Sequence, residues 1–366
     1  MRTVFIGAQE NPNGINSYTY NLALELCNRG YKSMVMAFGS CDKVTDYKGV
    51  TIKQYKCPGG TITSLPVLYF KSIPYLIKHR KEIDMVMYQS VTYSVIPAFI
   101  VRLFGMKTCT IIHSLAEDSP KHSEKKKKLI KALMRLAMSF TKHILTISKT
   151  KAQEVKARYG RQCSAILPCG VFMPEDKVSD TDILGKNGIR KGKYFLSIGR
   201  IDPIKNLDVL IDAFKKHNHG DYQLVIGGDF NSQYGESIVK RASDCPNIIF
   251  PGIVQGDDKA ALLKNAMAYC LVSSSEGLPI ALLEGMVFCN VPIVSDIPSI
   301  KEVLGSYGIG IWNRVKNVDD LAKSMEQVES GDNAIKEQGI IARQIVEDNY
   351  TWQKTCDKYL QYVRSL

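Results

Sequence analysis

Short apolar runs alternate along this chain with longer stretches whose apolar positions recur every three or four residues. The short runs read as buried strands and the longer ones as amphipathic helices. In the first half, strands are predicted at Thr3–Ile6, Ser33–Phe38, Val50–Tyr55, Met85–Tyr88, Lys107–Ile112, His143–Ile147 and Ser164–Leu167. Helical spacing covers Ile15–Arg29, closed by Gly30, then Val67–Arg80, Val91–Phe104, Glu124–Phe140 and Lys149–Tyr159. Between Val171 and Lys193 the pattern lapses into Pro, Gly and charge, which marks a linker.

Alternation then resumes. Strands are predicted at Tyr194–Ile198, Tyr222–Ile226, Ile248–Phe250, Ala268–Val272, Val291–Val294 and Gly308–Trp312. Helices fall near Asn206–His217, Ser232–Ser243, Asp257–Asn265, Pro279–Phe288 and Ile300–Leu304, and three more close the chain. Strand–helix alternation argues for parallel sheets covered on both faces. The expected fold class is therefore α/β, with two tandem Rossmann-like, doubly wound domains facing a cleft. The expected boundaries are 1–172, a linker at 173–192, a second domain at 193–348 and a terminal segment at 349–366.

Ligands of such sheets bind beyond the carboxyl ends of the strands, so loops after strands are where chemistry is expected. Ser273–Met286 (SSSEGLPIALLEGM) is the most informative. It puts Glu276 on a strand-end loop and Glu284 about two turns into the following helix. Gly277 allows close backbone approach, and the helix N-terminus attracts phosphate. A charged pair at this spacing is also ordinary for a solvated surface. Ser197–Asn206 (SIGRIDPIKN) presents Arg200 and Lys205 from a loop that enters a helix, as diphosphate binding would need. Two surface cations on a basic protein are the plainer reading.

His113 stands at the carboxyl end of its strand and reads either as a structural histidine or as a site residue. Gly14, in the loop Gly7–Ile15, is a turn glycine or a backbone facing phosphate or sugar. That loop is not a G-x-G-x-x-G fingerprint, and no acid ends the next strand at Phe38–Gly39, which disfavours a dehydrogenase. Asp180-Thr181-Asp182 follows no strand and makes a poor divalent-cation site. No His/Cys cluster has zinc spacing, so no metal is expected.

Composition refines this picture at two points. The 366 residues carry a net charge of +12, which favours acidic partners. Much of that excess lies in Lys121–Lys142, with eight Lys or Arg against one Glu. There Leu129, Leu133, Ala137 and Phe140 form an apolar stripe. The segment reads as a helix packed on the sheet with solvated lysines, as a helix on an anionic membrane surface, or as both. No apolar run is long enough to span a bilayer and the N-terminus lacks a signal-peptide layout, so a cytoplasmic chain is expected. The ten scattered cysteines are expected to be reduced.

Taken together, these elements resemble the retaining family 4 glycosyltransferases of the GT-B fold. The residues that carry the likeness are Glu276 and Glu284 with the seven residues between them, and Gly199-Arg200 through Lys205-Asn206. Weaker matches are Pro12–Gly14, His113, Ile147-Ser148, Pro168–Val171 and Tyr350-Thr351-Trp352, the last being similar to the start of a terminal helix that crosses back to the first domain. The chain departs from the family pattern at Pro279, Gly285 and Asn290.

The resemblance implies transfer of a hexosyl-type unit, with retention and without metal or other cofactor, from a nucleotide-sugar donor to a glycan or lipid-linked acceptor. UDP is the first choice of nucleotide and GDP the second. Arg200 and Lys205 would neutralise the diphosphate. Glu276 with the backbone of Gly277, Leu278 and Ile280 would hold the sugar and phosphate. Glu284 would take the ribose, and Val254 would sit near the base. His113 would lie at the donor sugar, and Gly14 near the diphosphate. The expected location is cytoplasmic and peripheral on the inner face of the cell membrane.

Three rivals are a nucleotide-sugar 2-epimerase, a non-enzymatic sugar-binding protein and a nucleic-acid binder. The last is disfavoured because the chain has no recognition-helix motif or stacking platform.

Overall fold

In the computed structural model the described residues are 1–9, 14–57, 61–115, 123–174, 181–216 and 220–366. The chain divides into two compact units, Met1–Gly170 with Trp352–Leu366, and Val171–Thr351.

The first unit is built on an eight-stranded sheet of order β3-β4-β2-β1-β5-β6-β7-β8. Its strands are β1 (Arg2–Gln9), β2 (Lys32–Gly39), β3 (Lys43–Tyr47), β4 (Val50–Lys56), β5 (Met85–Tyr88), β6 (Thr108–Ile112), β7 (Ile144–Thr146) and β8 (Ala165–Ile166). All neighbours pair in parallel except β3, which is antiparallel to β4. Parallel strands buried on both faces need near-continuous apolar sequence, and Val4, Phe5 and Ile6 of β1 are fully buried.

The sequence pattern misses β3. All five of its residues are exposed, so it shows no apolar period. It exists because Lys48 and Gly49 take positive φ and turn the chain back along β4.

Five helices alternate with these strands: α1 (Gly14–Asn28), α2 (Thr61–Lys78), α3 (Val91–Leu103), α4 (Glu124–Phe140) and α5 (Lys149–Tyr159). α2 starts earlier than its apolar spacing suggests and keeps Pro66 and Pro74 inside it. The terminal helix α14 (Trp352–Arg364) completes this unit. Its inner face, Trp352, Cys356 and Tyr359, is buried, and this removal of apolar surface from water favours docking of the helix. Polar contacts fix its register: Tyr359 Oη and Thr3 Oγ1 lie 2.9 Å apart, and Thr355 Oγ1 donates to Pro168 O at 2.9 Å. Arg29 at the end of α1 bonds Asp357 and the Gln353 carbonyl.

The second unit has a six-stranded parallel sheet of order β11-β10-β9-β12-β13-β14. The strands are β9 (Tyr194–Ile198), β10 (Gln223–Gly227), β11 (Ile248–Gly252), β12 (Ala268–Leu271), β13 (Val291–Ser295) and β14 (Ile311–Asn313). The helices are α6 (Ile183–Lys186), α7 (Leu207–Lys216), α8 (Gln233–Arg241), α9 (Gly256–Asn265), α10 (Ile280–Val287), α11 (Pro298–Leu304), α12 (Val318–Glu329) and α13 (Asn333–Asn349). One core joins Phe195 of β9 and Leu224 of β10 to Leu210 and Phe214 of α7 and Met325 of α12. The short α6 lies in a stretch with no apolar period. Val171 pairs with Thr351 at the other end of this unit.

The winding direction matters for function. From β9 the chain lays β10 and β11 on one side, then returns to place β12, β13 and β14 on the other. The β9 and β12 loops therefore diverge at a topological switch point, where an open α/β sheet leaves a crevice at its carboxyl edge. In the first unit β1 and β5 stand in the same relation.

All ten cysteines are free thiols. Among the described residues no helix is long and apolar enough to cross a membrane.

Candidate functional site

The loops after β9 and β12 carry the charged residues singled out in the sequence. After β9, Asp202 caps a 3₁₀ turn, Pro203–Lys205, its carboxylate accepting from Ile204 N–H at 3.1 Å. Asn206 follows in the left-handed region, φ 50°, and α7 begins. That conformation turns the Asn206 side chain across to the neighbouring loop. Its Nδ2 donates to Val272 O at 2.7 Å and lies 2.9 Å from Ser274 Oγ. Ser274 N–H returns a bond to Ile204 O at 2.8 Å. The two loops are thus tied together in a place where Asn206 is 1% exposed.

This tie sets the charged pair. Lys205 Nζ lies 2.6 Å from Glu276 Oε1, and Ser273 Oγ donates to the same oxygen at 2.5 Å. Both side chains are largely buried, at 19% and 13% exposure, so their attraction is less screened than at an open surface. Arg200 differs, with its side chain exposed and its Nε 3.5 Å from Asp202. A hollow at the carboxyl ends of β9, β10 and β12 is lined by Gly199, Arg200, Lys205, Gly227 and Ser273.

Glu276 does not line this hollow, and neither does Glu284. Glu284 is the fifth residue of α10, little more than one turn in, because the helix starts only at Ile280. The sequence spacing placed it about two turns in. Lys259 of α9 holds it, Nζ to Oε2 at 2.6 Å. Tyr269 is electrostatically close to both acids. Its hydroxyl donates to Ile198 O at 2.7 Å and accepts from Ile198 N at 3.2 Å. Burial, then the charges of Glu284 and Glu276, hold its pKa well above the ordinary tyrosine value, so it stays a neutral donor.

Close packing explains two glycines here. A Cβ on Gly228 would stand 2.5 Å from Gly199 O, so the β9 and β10 loops can approach only without one. A Cβ on Gly285 would meet Tyr269 Cγ at 2.6 Å, which gives this departure from the family pattern a physical reason.

Among the backbone candidates, Ile280 N–H already donates to Leu278 O at 2.9 Å. The Leu278 side chain is buried. Gly277 is half-buried in the loop between Glu276 and α10, and no side chain caps the first turn of that helix. Val254 is buried and packs over Gly227.

The remaining candidates belong to the first unit. His113 follows β6, and its ring Nε2 is 3.1 Å from Gln89 Oε1, the residue that follows β5. Tyr18 meets the imidazole edge-on at 4.8 Å. Burial pushes the His113 pKa down to about 3, so the ring is neutral near pH 7. Gly14 opens α1; residues 10–13 of its loop, which include Pro12, lie outside those described. So do Asp180 and residues 121 and 122 of the basic segment. The described residues contain no group of three or more His, Cys, Asp or Glu placed to hold a metal ion.

Sequence reasoning passed over Gln89, Lys259 and Tyr269, and treated Asn206 and Ser273 only as parts of motifs. Gln89 had a visible signal, a polar residue ending an apolar strand. Lys259 had none.

Comparison with known proteins places both halves of the chain. Residues 12–172 match the family described as Glycosyltransferase Family 4, and residues 179–345 match Glycosyl transferases group 1. An uncharacterized glycosyltransferase of Methanocaldococcus jannaschii is 25% identical over 249 residues, 62% of this chain and 60% of that protein. An O-antigen chain mannosyltransferase of Salmonella typhimurium is 24% identical over 206 residues, 53% of this chain and 56% of that one. The chain thus spans less than two thirds of the length of these relatives. A solved structure of HepE from Anabaena in complex with UDP superposes with a TM-score of 0.79 at 15% identity, covering 100% of each chain. Two family domains in tandem, each on its own switch-point sheet, leave one conclusion: the chain belongs to the glycosyltransferases of the GT-B fold, with a Glycosyltransferase Family 4 domain followed by a group 1 domain.

Proposed function

We propose that the protein transfers a sugar from a nucleoside diphosphate sugar to a glycan or lipid-linked acceptor, as in bacterial surface polysaccharide synthesis, with retention of anomeric configuration. The carrying observation is the Lys205–Glu276 pair, held at the switch point of the second sheet by Asn206, with Lys205 lining the hollow beside Arg200. In this reading Lys205 is shared between Glu276 and the donor diphosphate. Arg200, already exposed, swings from Asp202 onto the phosphate oxygens, which suit its planar fork. The two cations then meet the negative charge that grows on the diphosphate as the sugar leaves, so no metal is needed for that task. Ser273 keeps one oxygen of Glu276, and the other accepts from a sugar hydroxyl.

Glu284, oriented by Lys259, takes the ribose, and Val254 lies against the base. Neutral His113, oriented by Gln89, acts at the donor sugar without adding charge. Gly14 approaches the diphosphate through its backbone, as Gly277, Leu278 and Ile280 approach the sugar and phosphate. Ile280 first has to release its bond to Leu278. UDP is the favoured nucleotide, supported by the HepE complex with UDP; GDP is second. The mannosyltransferase relative supports a polysaccharide acceptor.

The test is a panel of nucleotide sugars, with and without acceptor glycans, assayed with the wild type, Lys205→Ala and Glu276→Ala. Transfer that falls at least about a hundredfold in both variants supports the assignment; wild-type rates in either contradict it. A product released without acceptor as an isomerised sugar points to the epimerase instead. Turnover that survives a chelator is expected.

A further inference from the structure

The first unit has a hollow of its own at the edge of its sheet. There β3 and β4 form an antiparallel hairpin in which Val44 stands opposite Lys53. Side chains two apart on a strand share a face, so Val44, Lys53 and Tyr55 lie on the same side. Lys53 reaches α2, its Nζ 4.0 Å from the centre of the Tyr75 ring, so this is the side that α2 covers. Between hairpin and helix lies a cavity of about 530 Å³ whose lining includes Asp42, Lys43, Val44, Lys53, Tyr55 and Lys71. That volume is in the range of small-molecule sites. β4 stands four strand spacings from β6, roughly 19 Å at about 4.8 Å each, so the cavity is separate from His113.

Its charges are not balanced. Lys53 is half-buried, and neither it nor Lys71 has a carboxylate partner among the described residues. Burial, then the like charge of Arg2, hold the Lys53 pKa below the ordinary lysine value. Arg2 itself is engaged, with Nη1 2.6 Å from Glu82 and Nη2 donating to Tyr75 Oη at 3.3 Å. Asp42, the one acid in the lining, accepts from Lys56 N–H at 3.0 Å. A cation drawn out of water ordinarily sits against an acid. Here the Tyr75 ring takes that place, which stabilises the charge without cancelling it. An oxyanion entering the cavity supplies the missing counter-charge.

The lining also narrows the kind of anion. Lysines are point charges and do not demand the two-pronged geometry that arginine does, so carboxylate and phosphate both fit. Val44, 66% exposed, and the half-buried ring of Tyr55 add apolar surface beside the cations. Such a mixture suits the ring carbons and the charged group of an acidic sugar.

We propose that this cavity holds the carboxylate or phosphate group of an acidic glycan, gripped by Lys53 and Lys71, and that the acceptor is therefore an anionic chain. The acceptor role rests on the glycosyltransferase reading; the binding does not. At its distance from β6, the charged unit is not the one that receives the sugar.

The experiment is titration of the full chain, without donor, by glucuronate, glucose 6-phosphate, glucose and inorganic phosphate, followed by NMR of the ligand. Wild type is compared with Lys53→Gln, Lys71→Gln and Lys205→Ala; circular dichroism confirms that each folds. Both charged sugars are expected to bind the wild type, more tightly than inorganic phosphate, and glucose is not. Lys71→Gln should weaken them about three- to fivefold, as for an exposed ion pair. Lys53→Gln should weaken them about tenfold or more, because its charge is less screened. Lys205→Ala should bind them as the wild type does. Wild-type affinity in Lys53→Gln, or glucose bound as well as glucuronate, overturns the proposal. So does a loss in Lys205→Ala, since the sugar would then sit in the second unit, and so does inorganic phosphate bound as tightly as glucose 6-phosphate. With no donor present, these failures leave the transferase reading standing, whereas failure of the donor assays removes the acceptor role and leaves the site.

Discussion

Asn206 is the residue on which the geometry of the charged pair depends, and its replacement gives a magnitude that can be worked through. Asn206→Ala removes two donated hydrogen bonds, to Val272 O and Ser274 Oγ, from a position 1% exposed. Each such bond contributes about 1 kcal/mol net, and leaving a buried carbonyl unpaired costs about 1–3 kcal/mol. Alanine must also hold φ 50°, which costs roughly 1–2 kcal/mol. The expected loss is about 3–5 kcal/mol. Asn206→Gly loses the same bonds but tolerates the backbone, so about 2–3 kcal/mol is expected.

At roughly 2–4 °C per kcal/mol for a unit of this size, calorimetry of the full chain should show the second unit melting about 6–20 °C lower for alanine and 4–12 °C lower for glycine. Donor affinity should fall in both, because Lys205 is no longer held beside Glu276. A glycine variant less stable than the alanine variant would refute the backbone argument. Wild-type melting and affinity in both would refute the tie itself.

Three further outcomes follow from single contacts. Gly285→Ala puts a methyl against the Tyr269 ring; about 1–3 kcal/mol of destabilisation is expected from overpacking, read by thermal melting, with a raised KM for the donor. His113 protonates near pH 3 in the folded chain but near its ordinary 6.5 when unfolded. The unfolded state therefore binds the extra proton between those values, and the stability His113 contributes is fully present above about pH 6.5 and lost as pH falls toward 3. Denaturant titrations of wild type and His113→Asn should show a steeper rise with pH in the wild type across that window; parallel curves would contradict the burial argument. Arg29→Ala cuts α1 from Asp357 and Gln353, and hydrogen exchange within Trp352–Arg364 should quicken while exchange in β9 does not change.

Much of the scaffold was readable because parallel strands buried on both faces must be apolar throughout. Met85–Tyr88 and Tyr194–Ile198 fall where the sequence puts them. β3 was not readable, since an exposed edge strand carries no such constraint. The charged loops were legible for a related reason: a polar residue that directly ends a buried strand has to emerge at the carboxyl edge. What the sequence could not supply was partners. Gln89 meets His113 and Lys259 meets Glu284 across packed elements, and such pairings are settled by how helices seat on the sheet. The α4 stripe shows the same limit in reverse. Its Leu129, Leu133 and Phe140 have the spacing of a core face yet are exposed, and of the stripe only Ala137 is buried, beside Met134 and Met138.

The most direct test of the central claim is calorimetric titration of UDP and of a UDP-hexose into wild type, Lys205→Ala and Glu276→Ala. Lys205→Ala should weaken both ligands by roughly ten- to hundredfold, the worth of a charge-assisted hydrogen bond. Glu276→Ala should weaken only the UDP-hexose, and UDP should bind at least as well as to wild type because Lys205 is released from its ion pair. Wild-type affinities for both ligands in both variants would contradict the account.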